Sequence, residues 1–175
     1  VPDLADAATV DLCGSNGTIV RSATVASNPE LETTFRSMRN RHPVDPDSEH
    51  PAAVAIRTGE MVTHSSLPEE MLGTFGHKPP ELDLIKRTRP SSVMVVPLKA
   101  RGTVLGALSM WILDPSREHS TGSQNVALRL AHRAALALDN ARLHEQQAHI
   151  AQVLQGALRP RTLPEIGGFE SATRF

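Results

Sequence analysis

The sequence predicts an α+β fold built on a central antiparallel sheet of five or six strands. Three observations carry that prediction. In "SSVMVVPLKARGTVLGALSMW", Ser91 to Trp111, two strand-length apolar runs flank Arg101-Gly102, where a tight reversal needs a residue that tolerates positive φ. Earlier, the alternating "ATVDLCG" meets Asn16-Gly17, a strong hairpin signal, and "TIVRSATVAS" follows as its partner strand. Late in the chain no Pro or Gly interrupts the stretch before Gly156, so a single helix is expected from about Gln124 to Leu158. Tight turns between sequential strands give an antiparallel sheet, and helices inserted between strands give an α+β sandwich.

Each element has a local reason. "NPELETTFRSMRNRH" opens with Asn28 as helix cap and Pro29 at the first helical position, and Leu31, Phe35 and Met38 recur at helical spacing. "HPVDPDSEHP" is a Pro- and acid-rich loop. "AAVAIRTG" reads as a short helix closed by Gly59, and "EMVTHSS" as a third strand. "LPEEMLGTF" and "PELDLIKRTRP" read as two short helices around "GHKPP". The main hairpin is Ser92–Leu98 with Thr103–Ile112; its runs barely alternate, so both faces are expected to be covered. The long helix would cover one face. The segment Glu49 to Pro90, short helices and loops, would cover the other more loosely, which is where a small-molecule cavity can form.

Composition excludes several classes. The 175 residues carry a net charge of -1 and only 3% aromatic side chains, so there is neither a basic footprint nor a stacking surface for nucleic acid. The one cysteine, Cys13, rules out an internal disulfide and points to a reducing, cytoplasmic compartment. No apolar run reaches transmembrane length and no signal peptide opens the chain. "VPDLADAATVDL" reads as the inside of a domain, hence as an excised fragment, and Asn16-Gly17-Thr18 as a turn and not a glycosylation site.

"VPL-x-x-x-G-x-x-LGAL" within Ser91–Trp111, with "AIRTGEMV" before it and "ALRLAHRAALALDNARLHEQ" after it, resembles a GAF domain over roughly Val1 to Gln147. The resemblance implies a sensory module, with terminal helices on one face of the sheet and a ligand or cofactor pocket on the other. "VLQGALRPRTLPEIGGFESATRF", Val153 to Phe175, resembles the start of a SpoIIE-like metal-dependent protein serine/threonine phosphatase domain, with Arg159 where a Leu is common. The implied layout is a GAF domain over 1–142, a linker or signalling helix over 143–160, and the beginning of a bacterial phosphatase domain over 161–175. The phosphatase's Mn or Mg motifs lie further on in that family, so no catalytic residue, metal site or cofactor is expected in this chain.

The expected pocket candidates are Met61, His64, Met71, Phe75, Met94 and Met110, apolar or titratable residues of the covering segment and the strands. Core packing is the first reading for most of the methionines, and a solvated loop for His64 and His77, with the pocket role second. No N-K-x-F-D-E string of the cyclic-nucleotide type is present, and Cys13, beside a hairpin turn, is expected to be a small buried hydrophobe and no pigment attachment point. A single Cys also disfavours a methionine-sulfoxide reductase of GAF fold. "DPDSEH" lacks the Gly turn and distal acid of a calcium loop. Trp111 is expected at the hairpin's end with its N–H partly wet.

Along the long helix Leu136, Leu143, Ile150 and Ala157 fall seven apart, with Leu154 beside them and Gln147 as an interruption. Two readings stand: a solvated connector, or a signalling helix that pairs weakly with a second copy through Leu143, Ile150 and Leu154. The function expected is a sensory module that binds a small ligand and controls a C-terminal phosphatase. The rivals are a ligand-free dimerisation scaffold and a Cys-dependent reductase.

Overall fold

The computed structural model describes residues 4–14, 16–39, 44–67, 71 and 90–158. Two compact units result, Val1–Asp139 and Asn140–Phe175. Among the described residues eight elements follow one another: β1 (Ala7–Cys13), β2 (Ile19–Ala26), α1 (Pro29–Arg39), α2 (Pro51–Thr58), β3 (Val62–His64), β4 (Ser92–Ala100), β5 (Thr103–Ile112) and α3 (Thr121–Leu158). The strands make one five-stranded sheet in the order β2-β1-β5-β4-β3, antiparallel throughout. The expected β4–β5 hairpin is present and turns at Arg101 (φ 48) and Gly102 (φ 83). Asn28 caps α1, its Oδ1 accepting from Leu31 N at 2.8 Å, with Pro29 at the first helical position. Gly59 closes α2 in the left-handed region, its N–H donating to Ala55 O. The two short helices expected around "GHKPP" lie outside the described residues, apart from Leu67, Met71 and Pro90, as do Phe75, His77 and 161–175.

Alternation sorts the strands into two faces. Met94, Val96 and Leu98 of β4 and Leu105 and Met110 of β5 form one core cluster with Ala127, Ala131 and Ala135 of α3. The alanines recur every fourth residue, so one small-residue stripe of the helix lies against the sheet. On the other face Ala7, Val93, Val95, Ala107 and Trp111 pack with Leu31 and Phe35 of α1 and Ala52 and Ala55 of α2. Phe35 and Trp111 meet with ring centroids 5.9 Å apart, tilted by 53°. Each of these large side chains contributes roughly 1.5–3 kcal/mol by leaving water. Trp111 is thus a core residue of this face, buried where its sequence position suggested a wet hairpin end.

Two backbone features fix the sheet's centre. Gly106 lies opposite Leu12, and a Cβ there would come within 2.2 Å of the Asp11 carbonyl oxygen, so β1 and β5 approach as only a glycine allows. β3 pairs with no more than Val93–Val95 of β4; two residues on, Pro97 has no N–H to continue a ladder. Just before β1, Asp6 ties that strand's start to the chain leaving β5, accepting from Leu113 N and Arg117 Nη1, each at 2.8 Å.

Candidate functional site

The α1/α2 face is not uniformly apolar. Along β1, Ala7, Thr9 and Asp11 share this face, because Ala8, Val10 and Leu12 pack with the α3 cluster. Thr9 stands opposite Ser109 of β5 on one side and Thr24 of β2 on the other. Asp11 stands opposite Arg21. That last pairing depends on a β-bulge: Val10 faces Ala23 but Asp11 faces Arg21, leaving Ser22 as an extra residue on β2. With regular pairing Asp11 would face Ser22, and Arg21 would turn to the opposite face. Burial follows the bulge, for Ile19 is buried while Val20 is exposed.

The result is a buried polar group of residues. Asp11 is fully buried, and Arg21 keeps 12% of its side-chain surface. Arg21 Nε donates to Asp11 Oδ1 at 2.9 Å and Nη2 to Oδ2 at 3.4 Å. His50, also buried, precedes α2 and accepts from Ala52 N through Nδ1 at 3.1 Å. Its pKa is lowered to about 3, first by burial and then by the positive charge of Arg21. His50 is therefore neutral near pH 7, and with Nδ1 accepting, its proton sits on Nε2. The hydroxyls of Thr9, Thr24 and Ser109 are buried with no hydrogen-bond partner. A row of hydroxyls thus crosses β2, β1 and β5, next along the strands to an ion pair.

The residues singled out by sequence fall elsewhere. Met94 and Met110 are buried beneath α3, on the face opposite to the one expected of a pocket, and Met61 packs beside them. The methionines fill the sealed core because they lie on the α3 parity of their strands. His64, half-buried, pairs with Val93 in β3 and so shares the α1/α2 face. Met71 is half-buried. Cys13, expected as a small buried hydrophobe, is half-buried at the end of β1. Met61 also lines an open groove of about 410 Å³ with Gly59, Glu60, Val96, Lys99, Leu128 and His132. Asp45 makes a local turn, accepting from Asp47 N and, through its carbonyl, from Ser48. Among the described residues no three His, Cys, Asp or Glu side chains gather as metal ligands, and no helix is long and apolar enough to cross a membrane. The sequence signal for the polar group was the amphipathy of "ATVDLC": its polar positions, Thr9 and Asp11, face inward.

The fold is GAF-like. The chain is similar to the GAF domain of a phosphoenolpyruvate-protein phosphotransferase from Coxiella burnetii, at TM-score 0.61 and 19% identity over 81% of this chain and 76% of that one. It is similar to the GAF-B domain of DevS from Mycobacterium smegmatis, at TM-score 0.56 and 19% identity over 82% and 86% of the two chains. A type II free methionine-R-sulfoxide reductase from Thermoplasma acidophilum has TM-score 0.52 and 12% identity over 76% and 78%. No protein-family model matches the sequence, and no curated protein matches it. At these identities the likeness concerns the fold, and since one such fold is an enzyme's, function has to be argued from the site.

Proposed function

We propose that this chain is a sensory, non-catalytic GAF module that binds a small ligand on the α1/α2 face of its sheet. The observation that carries the reading is the buried polar group. Hydroxyls taken out of water without a partner cost on the order of 1–3 kcal/mol each, and a buried ion pair gains little over an apolar filling. A face needed only for packing has no use for Thr9, Thr24, Ser109, Asp11 and Arg21 together. The α3 face of the same sheet packs mainly apolar side chains against the helix. The ligand acts by biasing two packings of the covering segment, and through the shared sheet it biases α3. The module serves a bacterial, cytoplasmic protein, and the phosphatase-like start at Val153–Phe175 makes a metal-dependent serine/threonine phosphatase its output, with Mn or Mg confined to that domain. A weak homodimer forms through Leu143, Ile150 and Leu154; Ile150 and Leu154 are more than half exposed.

Native mass spectrometry of freshly purified protein tests the reading. A discrete mass excess, lost in a Thr9→Val/Ser109→Ala double variant that still folds, is the expected result. A protein that purifies empty and takes up nothing from a metabolite extract returns the chain to the ligand-free dimerisation scaffold.

A further inference from the structure

Arg21 is the least satisfied charged group of the site. A guanidinium carries five N–H donors in a planar fork. Asp11 takes two of them, from Nε and Nη2. No acceptor among the described residues takes the other three. The side chain is nonetheless almost nine-tenths buried, and an extra residue in β2 turns it onto this face. Two residues along each of the three strands, or three along bulged β2, stand hydroxyls without partners: Thr9, Ser109 and Thr24. Asp11 thus holds one edge of the fork and leaves the other edge unused. A free guanidinium edge matches the two oxygens of a carboxylate or phosphate, a geometry a lysine cannot reproduce.

We propose that the free edge of Arg21 anchors an oxyanion of the ligand, a carboxylate or phosphate group, with Asp11 holding the fork in plane and Thr9, Thr24 and Ser109 bonding the ligand's neighbouring polar atoms. The inference rests on the ligand-binding reading and assigns the ligand's chemical class. Asp11 has a second effect. Its negative charge opposes the incoming anion, so the intact pair binds an oxyanion more weakly than a lone arginine would. That gives the proposal an unusual sign. Removing the Asp11 charge strengthens anion binding, whereas an arginine that serves packing alone gains nothing.

The test titrates sodium acetate and, separately, inorganic phosphate into the whole chain at low, constant ionic strength, following the Arg21 Nε–Hε resonance by NMR. A saturable shift at millimolar concentration is expected, with acetate alone assigning a carboxylate and phosphate alone a phosphate. Asp11→Asn, whose side-chain carbonyl still accepts from Nε, is expected to tighten binding several-fold. Arg21→Lys, followed on backbone amides of β1 and β2, is expected to weaken it at least about tenfold. The absence of a saturable shift with either anion, in both the unaltered chain and Asp11→Asn, overturns the proposal without needing Arg21→Lys to fold. A co-purified ligand retained equally by Arg21→Lys overturns it too, while leaving the ligand-binding reading intact. An unaltered chain that purifies empty and ignores a metabolite extract is the separate failure of that reading.

Discussion

The two faces of the sheet are built to different standards. Under α3, methionine, valine and leucine side chains meet an alanine stripe, and the one buried polar side chain at these strand positions among the described residues is Ser92, at the start of β4. Under α1 and α2, the apolar cluster around Trp111 shares its face with an ion pair, a neutral histidine and hydroxyls without partners. One face is packed mainly with side chains that need no partner. The other holds hydroxyls left without a hydrogen-bond partner among the described residues. The contrast teaches that a sheet can act as a fixed plate on one side and a receptive surface on the other, because side-chain parity insulates the two chemistries.

The comparison can be broken most severely at its polar side. Arg21→Met strands the fully buried Asp11 carboxylate and is expected to cost about 3–5 kcal/mol in urea unfolding. If the loss is below about 1 kcal/mol, the pair is effectively solvated and the face is less closed than described. On the apolar side, Met94→Ala is expected to cost about 2–5 kcal/mol while leaving anion titration at Arg21 unchanged.

Acid should weaken the α1/α2 face through His50. His50 has a folded pKa near 3, below its ordinary 6.5, so between those values the unfolded chain binds the extra proton. Its contribution is complete above about pH 6.5 and falls as pH drops towards 3, by about 1.4 kcal/mol per unit in mid-range. Unfolding midpoints measured from pH 7 to 5 should therefore fall more steeply for the unaltered chain than for His50→Asn. Parallel curves would show His50 already charged or exposed.

A smaller effect has the opposite sign. Thr9→Val and Ser109→Ala remove buried unpartnered hydroxyls and should each stabilise by about 1 kcal/mol while weakening ligand retention. Destabilisation by both would mean that the hydroxyls are already bonded. Smallest of all, Leu143→Lys with Ile150→Lys should shift thermal unfolding of the globular unit hardly at all yet abolish concentration-dependent association in sedimentation. A double variant that remains dimeric places the contact elsewhere.

How much of this was legible in the sequence depends on which signal was needed. The β4–β5 turn, the Asn28 cap with Pro29 and the Gly59 stop were readable because each is local chemistry at a fixed offset. The faces of Met94 and Met110 were not. β4 is buried on both sides, so its composition does not alternate and its parity has no outward sign. Arg21 was missed for a different reason. Its orientation depends on the unpaired Ser22, and a bulge in mid-strand has no composition of its own. Naming the methionines as pocket candidates followed their adaptability as a residue type, whereas the buried polar group is made by register.

The bulge at Ser22 has a consequence for the protein's behaviour in company. Among the described residues β2 is the last strand on its side of the sheet; Val44 bridges it at Ile19, and beyond that it carries Val20 and Val25 exposed, the kind of border on which a second chain can add a strand. An extra residue interrupts the even spacing of backbone donors and acceptors along that border and sharpens its twist, so an incoming extended segment cannot stay in step past it. The single residue that turns Arg21 inward also helps keep the protein from polymerising edge to edge.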